Sequence, residues 1–93
     1  MLNEQQYLLL CLMEEAAEIS QAASKCLRFG PDDVYNGCTN LENLIYELND
    51  MYAVIDELKD LGVTLDERVA LKEDKHRRLA RYRDISKARG YHE

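Results

Sequence analysis

Four acidic side chains in this sequence stand at a spacing suited to gripping a cation. Glu15 and Glu18 lie in the run Glu14-Glu15-Ala16-Ala17-Glu18, and Glu47 and Asp50 in Glu47-Leu48-Asn49-Asp50. Each pair is three residues apart, which on an α-helix puts both carboxylates on one face, a turn apart. Bulky apolar residues flank both pairs: Leu12, Met13 and Ile19 near the first, Ile45, Tyr46, Met51 and Tyr52 near the second. One such pair is common on a solvated helix. Two embedded in apolar sequence are not. Unit charges ~6 Å apart repel by roughly 3 kcal/mol at an effective dielectric of ~20. Four converging carboxylates would therefore rival the ~5–15 kcal/mol that stabilises a small domain. Such a cluster must be protonated, splayed into water, or neutralised by a cation.

Oxygen donors without imidazole or thiolate favour a hard ion, Mg²⁺ or Mn²⁺. His76 and His92 sit in the basic tail and form no Glu-x-x-His pair, so a di-iron bundle site is not expected. Asp32, Asp33 and Gly37 lack the spacing of a calcium hand. Cys11, Cys26 and Cys38 are odd in number and without CxxC spacing. They read as reduced thiols of a cytoplasmic protein, with neither a zinc knuckle nor a disulfide framework.

The elements that must position these groups are helices. A length of 93 residues gives one domain, 1–93, and 46% hydrophobic with 32% charged residues excludes disorder. One Pro and four Gly argue against an all-β domain with many tight turns. The first helix is expected from about Asn3 to Arg28, stopped by Gly30-Pro31. The second opens on a capping-box spacing, Thr39-x-x-Glu42, and ends at Gly62. The third opens on another, Thr64-x-x-Glu67, and fades near Gly90. Between the first two lies a loop over 29–38, with room for a short helical turn. The run Tyr7–Met13 has no basic residues before it and stops at Glu14, so it reads as neither a leader peptide nor a membrane span.

Helix two carries an apolar stripe of Leu41, Leu44, Ile45, Leu48, Met51, Tyr52, Ile55 and Leu58. Ala53 and Val54 fall off that stripe, so Met51–Ile55 is apolar nearly all round, as is Tyr7–Met13. Three helices cover one face of each, seldom two. The expected fold is therefore all-α, a bundle of about three helices per chain completed by homo-oligomerisation as a dimer or tetramer. Helix three, thinly apolar and mostly basic, is expected on the outside.

Charge is unevenly spread. The formal net charge is −6, which disfavours nucleic acid as a partner. Residues 1–61 hold three basic and twelve acidic side chains, a net of −9, and residues 62–93 hold nine and six, a net of +3. The acidic part suits cations and the basic part suits anionic groups.

The order Glu14-Glu15-x-x-Glu18, 28 residues (19–46), then Glu47-x-x-Asp50 resembles the motifs of the MazG-like, all-α nucleoside triphosphate pyrophosphohydrolases. The resemblance covers about residues 5–61, and the stretch Ala23–Asp33 resembles small phage-encoded members. Lys75-x-x-Arg78 resembles the basic pair that follows in many members, although the Asn often found two residues before that Lys is Glu73 here. The resemblance implies Mg²⁺-dependent cleavage of a nucleoside or deoxynucleoside triphosphate between the α and β phosphates. It implies metal ligation by Glu15, Glu18, Glu47 and Asp50, with Glu14 and Glu15 in catalysis. Lys25, Arg28, Asn43, Lys75 and Arg78 are the candidates for holding the substrate, since guanidinium and ammonium groups suit phosphate oxygens. Phe29, Tyr35 and Tyr46 are candidates for stacking on a base. A competing expectation is a non-enzymatic acidic helical adaptor, or a protein that binds nucleotides without cleaving them.

Overall fold

The computed structural model describes all 93 residues, Met1–Glu93. Three helices dominate: α1 over Glu4–Phe29, α2 over Asn40–Asp60 and α3 over Val69–Ala88. A small antiparallel hairpin separates the first two, with β1 at Val34–Tyr35 and β2 at Cys38–Thr39, Val34 opposite Thr39 and Tyr35 opposite Cys38. The molecule is thus mostly helical, as expected. No helix is long and apolar enough to cross a membrane.

Local chemistry sets the helix starts. Asn3 Oδ1 accepts from the Gln6 N–H at 2.8 Å while Gln6 Oε1 accepts from the Asn3 N–H at 3.0 Å, a reciprocal cap on α1. Thr39 Oγ1 accepts from the Glu42 N–H at 3.0 Å and donates to Glu42 Oε1 at 3.1 Å, which starts α2 where its spacing predicts.

The loop expected over 29–38 is instead a hairpin. Asn36 and Gly37 occupy its tip with φ of 53° and 81°, the left-handed pair that a two-residue type I′ turn requires. It is tied to the start of α2 from below. The Asn40 N–H donates to the Asp33 carbonyl at 3.0 Å, and the Leu41 N–H to the Pro31 carbonyl at 3.0 Å. The Asn40 side chain, 3% exposed, donates from Nδ2 to the Gly30 carbonyl at 2.9 Å. That bond satisfies a buried amide and fixes the hairpin over the α1–α2 groove.

α1 and α2 pack along each other, and Leu8, Ala22 and Leu58 form the fully buried core, with Leu58 at 0% exposure. The stripe predicted on α2 is only partly used. Leu44, Leu48, Met51, Ile55 and Leu58 turn inward, but Leu41, Ile45 and Tyr52 are exposed. In their place Asn43, Glu47 and Val54 are drawn into the groove.

α3 departs from expectation at both its start and its packing. It begins at Val69, capped by Arg68 without a side-chain bond, and not at the Thr64-x-x-Glu67 box. The reason is tertiary. Asp66 is drawn to Lys59 at 3.0 Å and the Val63 N–H returns to the Leu58 carbonyl at 3.1 Å, holding this segment against the end of α2. Glu67 pairs with Lys72 at 3.2 Å. Beyond that anchored turn α3 has no buried residue and packs along neither other helix. The radius of gyration is 16.8 Å, well above the ~12 Å of a compact chain of this length.

Candidate metal centre

α1 and α2 bring three of the four predicted ligands together. One carboxylate oxygen from each of Glu15, Glu18 and Glu47 lies within 4.8 Å of the others. Glu15 and Glu18 are a turn apart on α1, and Glu47 faces them from α2 because that helix turns its acidic edge into the groove. Glu15 and Glu47 are half-buried, whereas Glu18 is exposed at the mouth. Asp50, the fourth predicted ligand, is exposed one turn beyond Glu47 and stands outside the trio. Its charge is nonetheless felt by both Glu15 and Glu47. Glu14 is exposed at the edge, close enough for its charge to act on Glu15.

The electrostatics are those of a site short of positive charge. Burial pushes the Glu15 carboxyl above its ordinary 4.5, and the charges of Glu18, Asp50 and Glu14 push it further. Glu47 is also raised above 4.5, first through a proton shared with Glu18, then by burial and by the charges of Glu18, Asp50 and Glu15. With both ionised, Oε2 of Glu15 and Oε2 of Glu47 are closed off from water and lack any hydrogen-bond partner. A buried acceptor without a donor is costly, and a second uncompensated negative charge beside it compounds that cost. All donors here are oxygens, and an ion seated among them would satisfy both orphaned atoms. The residues therefore fit a hard divalent cation.

The trio opens into a cavity of about 410 Å³. Glu18 and Glu47 form its acidic end, Gln21, Lys25 and Asn43 its helical walls, and Tyr35 and Asn36 of the hairpin its far side. Lys25 Nζ sits 5.9 Å from the centroid of the Tyr35 ring, a cation–π contact that holds the ammonium beside the cavity. Two further depressions adjoin and share Lys25. One of about 400 Å³ is lined by Phe29, Val34 and Tyr35, and the other, of about 380 Å³, by Ser20, Ser24 and Arg28.

Of the predicted substrate residues, Lys25 and Asn43 line the cavity and Arg28 lies in the adjoining polar depression. Lys75 and Arg78 do not join them. They ride on α3, which packs along neither α1 nor α2, and Arg78 Nε pairs with Asp74 at 2.9 Å. Tyr35 and Phe29 border the cavity system, whereas Tyr46 is 56% exposed and lines none of these depressions. Gln21 and Asn36 were not anticipated. The Asn36-Gly37 dipeptide, a strong hairpin signal between two short β-prone pairs, marks Asn36; no signal marks Gln21 beyond its place one turn after Glu18.

Compared with protein-family models, with curated proteins and with solved structures, the chain finds no match.

Proposed function

We propose that this protein is a Mg²⁺-dependent nucleoside triphosphate pyrophosphohydrolase of the MazG-like kind, splitting its substrate into a monophosphate and pyrophosphate. The observation that carries the reading is the Glu15–Glu18–Glu47 trio, with two orphaned oxygens, opening into a cavity edged by Lys25. A carboxylate-only donor set beside an ammonium suits a polyphosphate that arrives with its divalent ion. When bound, the ion supplies charge neutralisation at phosphate oxygens and a more acidic water.

The chain's own residues have separable roles in this reading. Glu15, Glu18 and Glu47 hold the ion, and Asp50 completes the donor set from the next turn. Glu14, at the water-facing edge, orients the attacking water. Lys25 binds phosphate oxygens as a point charge, and Arg28 extends the grip into the neighbouring polar depression. Asn43 fixes the substrate from the α2 wall, and Tyr35 offers an aromatic face for a base. The same reading takes the protein to be a cytoplasmic homo-oligomer, dimer or tetramer, in keeping with its three free thiols and exposed apolar side chains.

The test is a panel of ordinary and modified ribo- and deoxynucleoside triphosphates with Mg²⁺, analysed for monophosphate and pyrophosphate together. The expected result is release of both in equal amounts, lost in Glu15→Gln and Asp50→Asn. Absence of turnover across the panel at high enzyme concentration refutes the reading. A melting temperature that also ignores Mg²⁺ would turn it toward the adaptor.

A further inference from the structure

The hairpin borders a depression whose chemistry differs from that of the carboxylate trio. It holds about 400 Å³, within the range of small-ligand pockets, and is lined by Lys25, Phe29, Asp33, Val34, Tyr35 and Asn40. Phe29, Val34 and Tyr35 supply its apolar part and are 59%, 62% and 64% exposed, so a flat apolar ring laid against them would take all three out of water. Along α1, Lys25 lies seven residues beyond Glu18 and Phe29 a further turn on, ~10 Å and ~16 Å by helical rise. A nucleotide whose phosphates meet the trio and Lys25 therefore carries its base toward Phe29, while the Ser20, Ser24 and Arg28 depression suits anionic oxygens.

The polar groups beside the apolar wall accept hydrogen bonds. Asn40 is 3% exposed and its amide orientation is fixed, because Nδ2 donates to the Gly30 carbonyl at 2.9 Å and leaves Oδ1 as an acceptor. No group of the chain donates to that oxygen, yet it is not sealed from solvent. Asp33 is exposed, and its carboxylate, an acceptor only when ionised, enters no ion pair. Two acceptors at one apolar depression call for a planar ring with adjacent donors.

Among the common bases guanine alone has such an edge, N1–H beside N2–H₂, with an O6 acceptor next to it that suits the Lys25 ammonium. Adenine and cytosine each set one amino group beside a ring nitrogen that accepts, and uracil sets one N3–H between two carbonyls. We infer that this depression takes the base of the substrate and selects guanine, its donor edge received by the Asp33 carboxylate and Asn40 Oδ1.

The inference rests on the nucleotide reading above and names the base that the same site takes, so the test separates binding from turnover. Full-length protein with Mg²⁺ is titrated calorimetrically with the α,β-methylene triphosphates of guanosine, inosine, adenosine, cytidine and uridine, whose α–β bridge resists cleavage. Guanosine should bind tightest, inosine, which lacks only the 2-amino group, about tenfold more weakly, and uridine weakest. Asp33→Asn keeps the size of an exposed side chain and adds a donor. It should cut the guanosine-to-uridine ratio at least about tenfold, since an amide matches N3–H and O4 of uracil. The ratio is read because loss of a negative charge strengthens every triphosphate alike. Asp32→Asn, at an exposed neighbour that lines none of the three depressions, should leave the ratio unchanged. Equal binding of all five bases overturns the inference, as does an Asp33→Asn ratio that equals the wild type's or is matched by Asp32→Asn. In those cases hydrolysis of ordinary triphosphates still leaves the pyrophosphohydrolase reading standing. Guanosine-selective binding without turnover of ordinary triphosphates sustains the base subsite and refutes hydrolysis. Binding of none of the five overturns both.

Discussion

Replacing Glu47 by Gln should make the metal-free protein more stable, although it changes a half-buried polar residue in the best-packed groove of the molecule. The side chain keeps its shape, removes its own orphaned oxygen, and gains two N–H donors, which the orphaned Glu15 Oε2 lacks. It also removes a negative charge whose oxygen lies within 4.8 Å of one on Glu18. Two unit charges at that distance repel by roughly 3.5 kcal/mol at an effective dielectric of ~20, but the mouth of the site is open to water and salt. Discounting for that exposure leaves a gain of about 1 kcal/mol. A chain of 93 residues has an unfolding entropy of ~0.2 kcal/mol per kelvin, so Tm should rise by about 5 °C. Mg²⁺ reverses the order. At ten times its Kd it adds ~1.4 kcal/mol to the wild type, about 7 °C, and little to the variant, whose donor set is one carboxylate short. Thermal melts at low ionic strength, with chelator and then with Mg²⁺, read both effects. If Glu47→Gln melts below the wild type in chelator, or if both respond equally to Mg²⁺, the carboxylate trio is neither strained when empty nor a cation site. High salt supplies an internal control, because screening should shrink the metal-free gain.

Other perturbations follow from the same structure. Glu15 and Glu47 titrate above 4.5 when folded, so their contribution is fully present below ~4.5 and is lost as pH rises through the folded values. Melts in chelator should therefore show stability from these groups falling as pH rises above ~4.5, with saturating Mg²⁺ flattening the fall; a rise in their contribution with pH in chelator contradicts the assignment. Leu58→Ala opens a cavity at the one side chain with 0% exposure and should cost ~2–4 kcal/mol, lowering Tm by ~10–20 °C in calorimetry. Asn40→Ala leaves the Gly30 carbonyl only the long 3.4 Å bond from the Asp33 N–H and should cost ~1 kcal/mol, with faster amide exchange at Asn40 and Leu41 as the hairpin loosens from α2.

Much of this architecture is written in local signals. The Thr39-x-x-Glu42 cap, the Gly30-Pro31 stop and the 3.6-residue periodicity place α1 and α2 within a residue or two. Asn3-x-x-Gln6 is an equally local cap, and Asn36-Gly37 an equally local turn, but the strands beside that turn are two residues long and carry no alternation to read. Two features could not be local. The third helix starts late, after a segment in which Asp66 pairs with Lys59 and the Val63 N–H returns to the Leu58 carbonyl, contacts across the turn that no capping pattern reveals. The orphaned state of Glu15 Oε2 and Glu47 Oε2 depends on how closely two helices approach, and spacing along either helix does not report it.

The orientation of α2 ties the carboxylate trio to the uncovered surface. Its predicted apolar stripe and its observed inward face differ by roughly 60° of rotation about the helix axis, given ~100° per residue. Turning the helix back by that amount would bury Ile45 and Tyr52 and swing Glu47 toward water. For a metal-free chain the second change is favourable, since like charges separate, whereas the first is offset by the cover that Val54 and Leu58 would lose. The structure has the opposite arrangement, with Glu47 inward and Ile45 and Tyr52 exposed. Such an arrangement is coherent when two external ligands are counted, a cation that neutralises the inner edge and an apolar partner that covers the outer stripe. Metal and partner would stabilise the same orientation of α2 from opposite sides, and each would favour binding of the other through that shared helix.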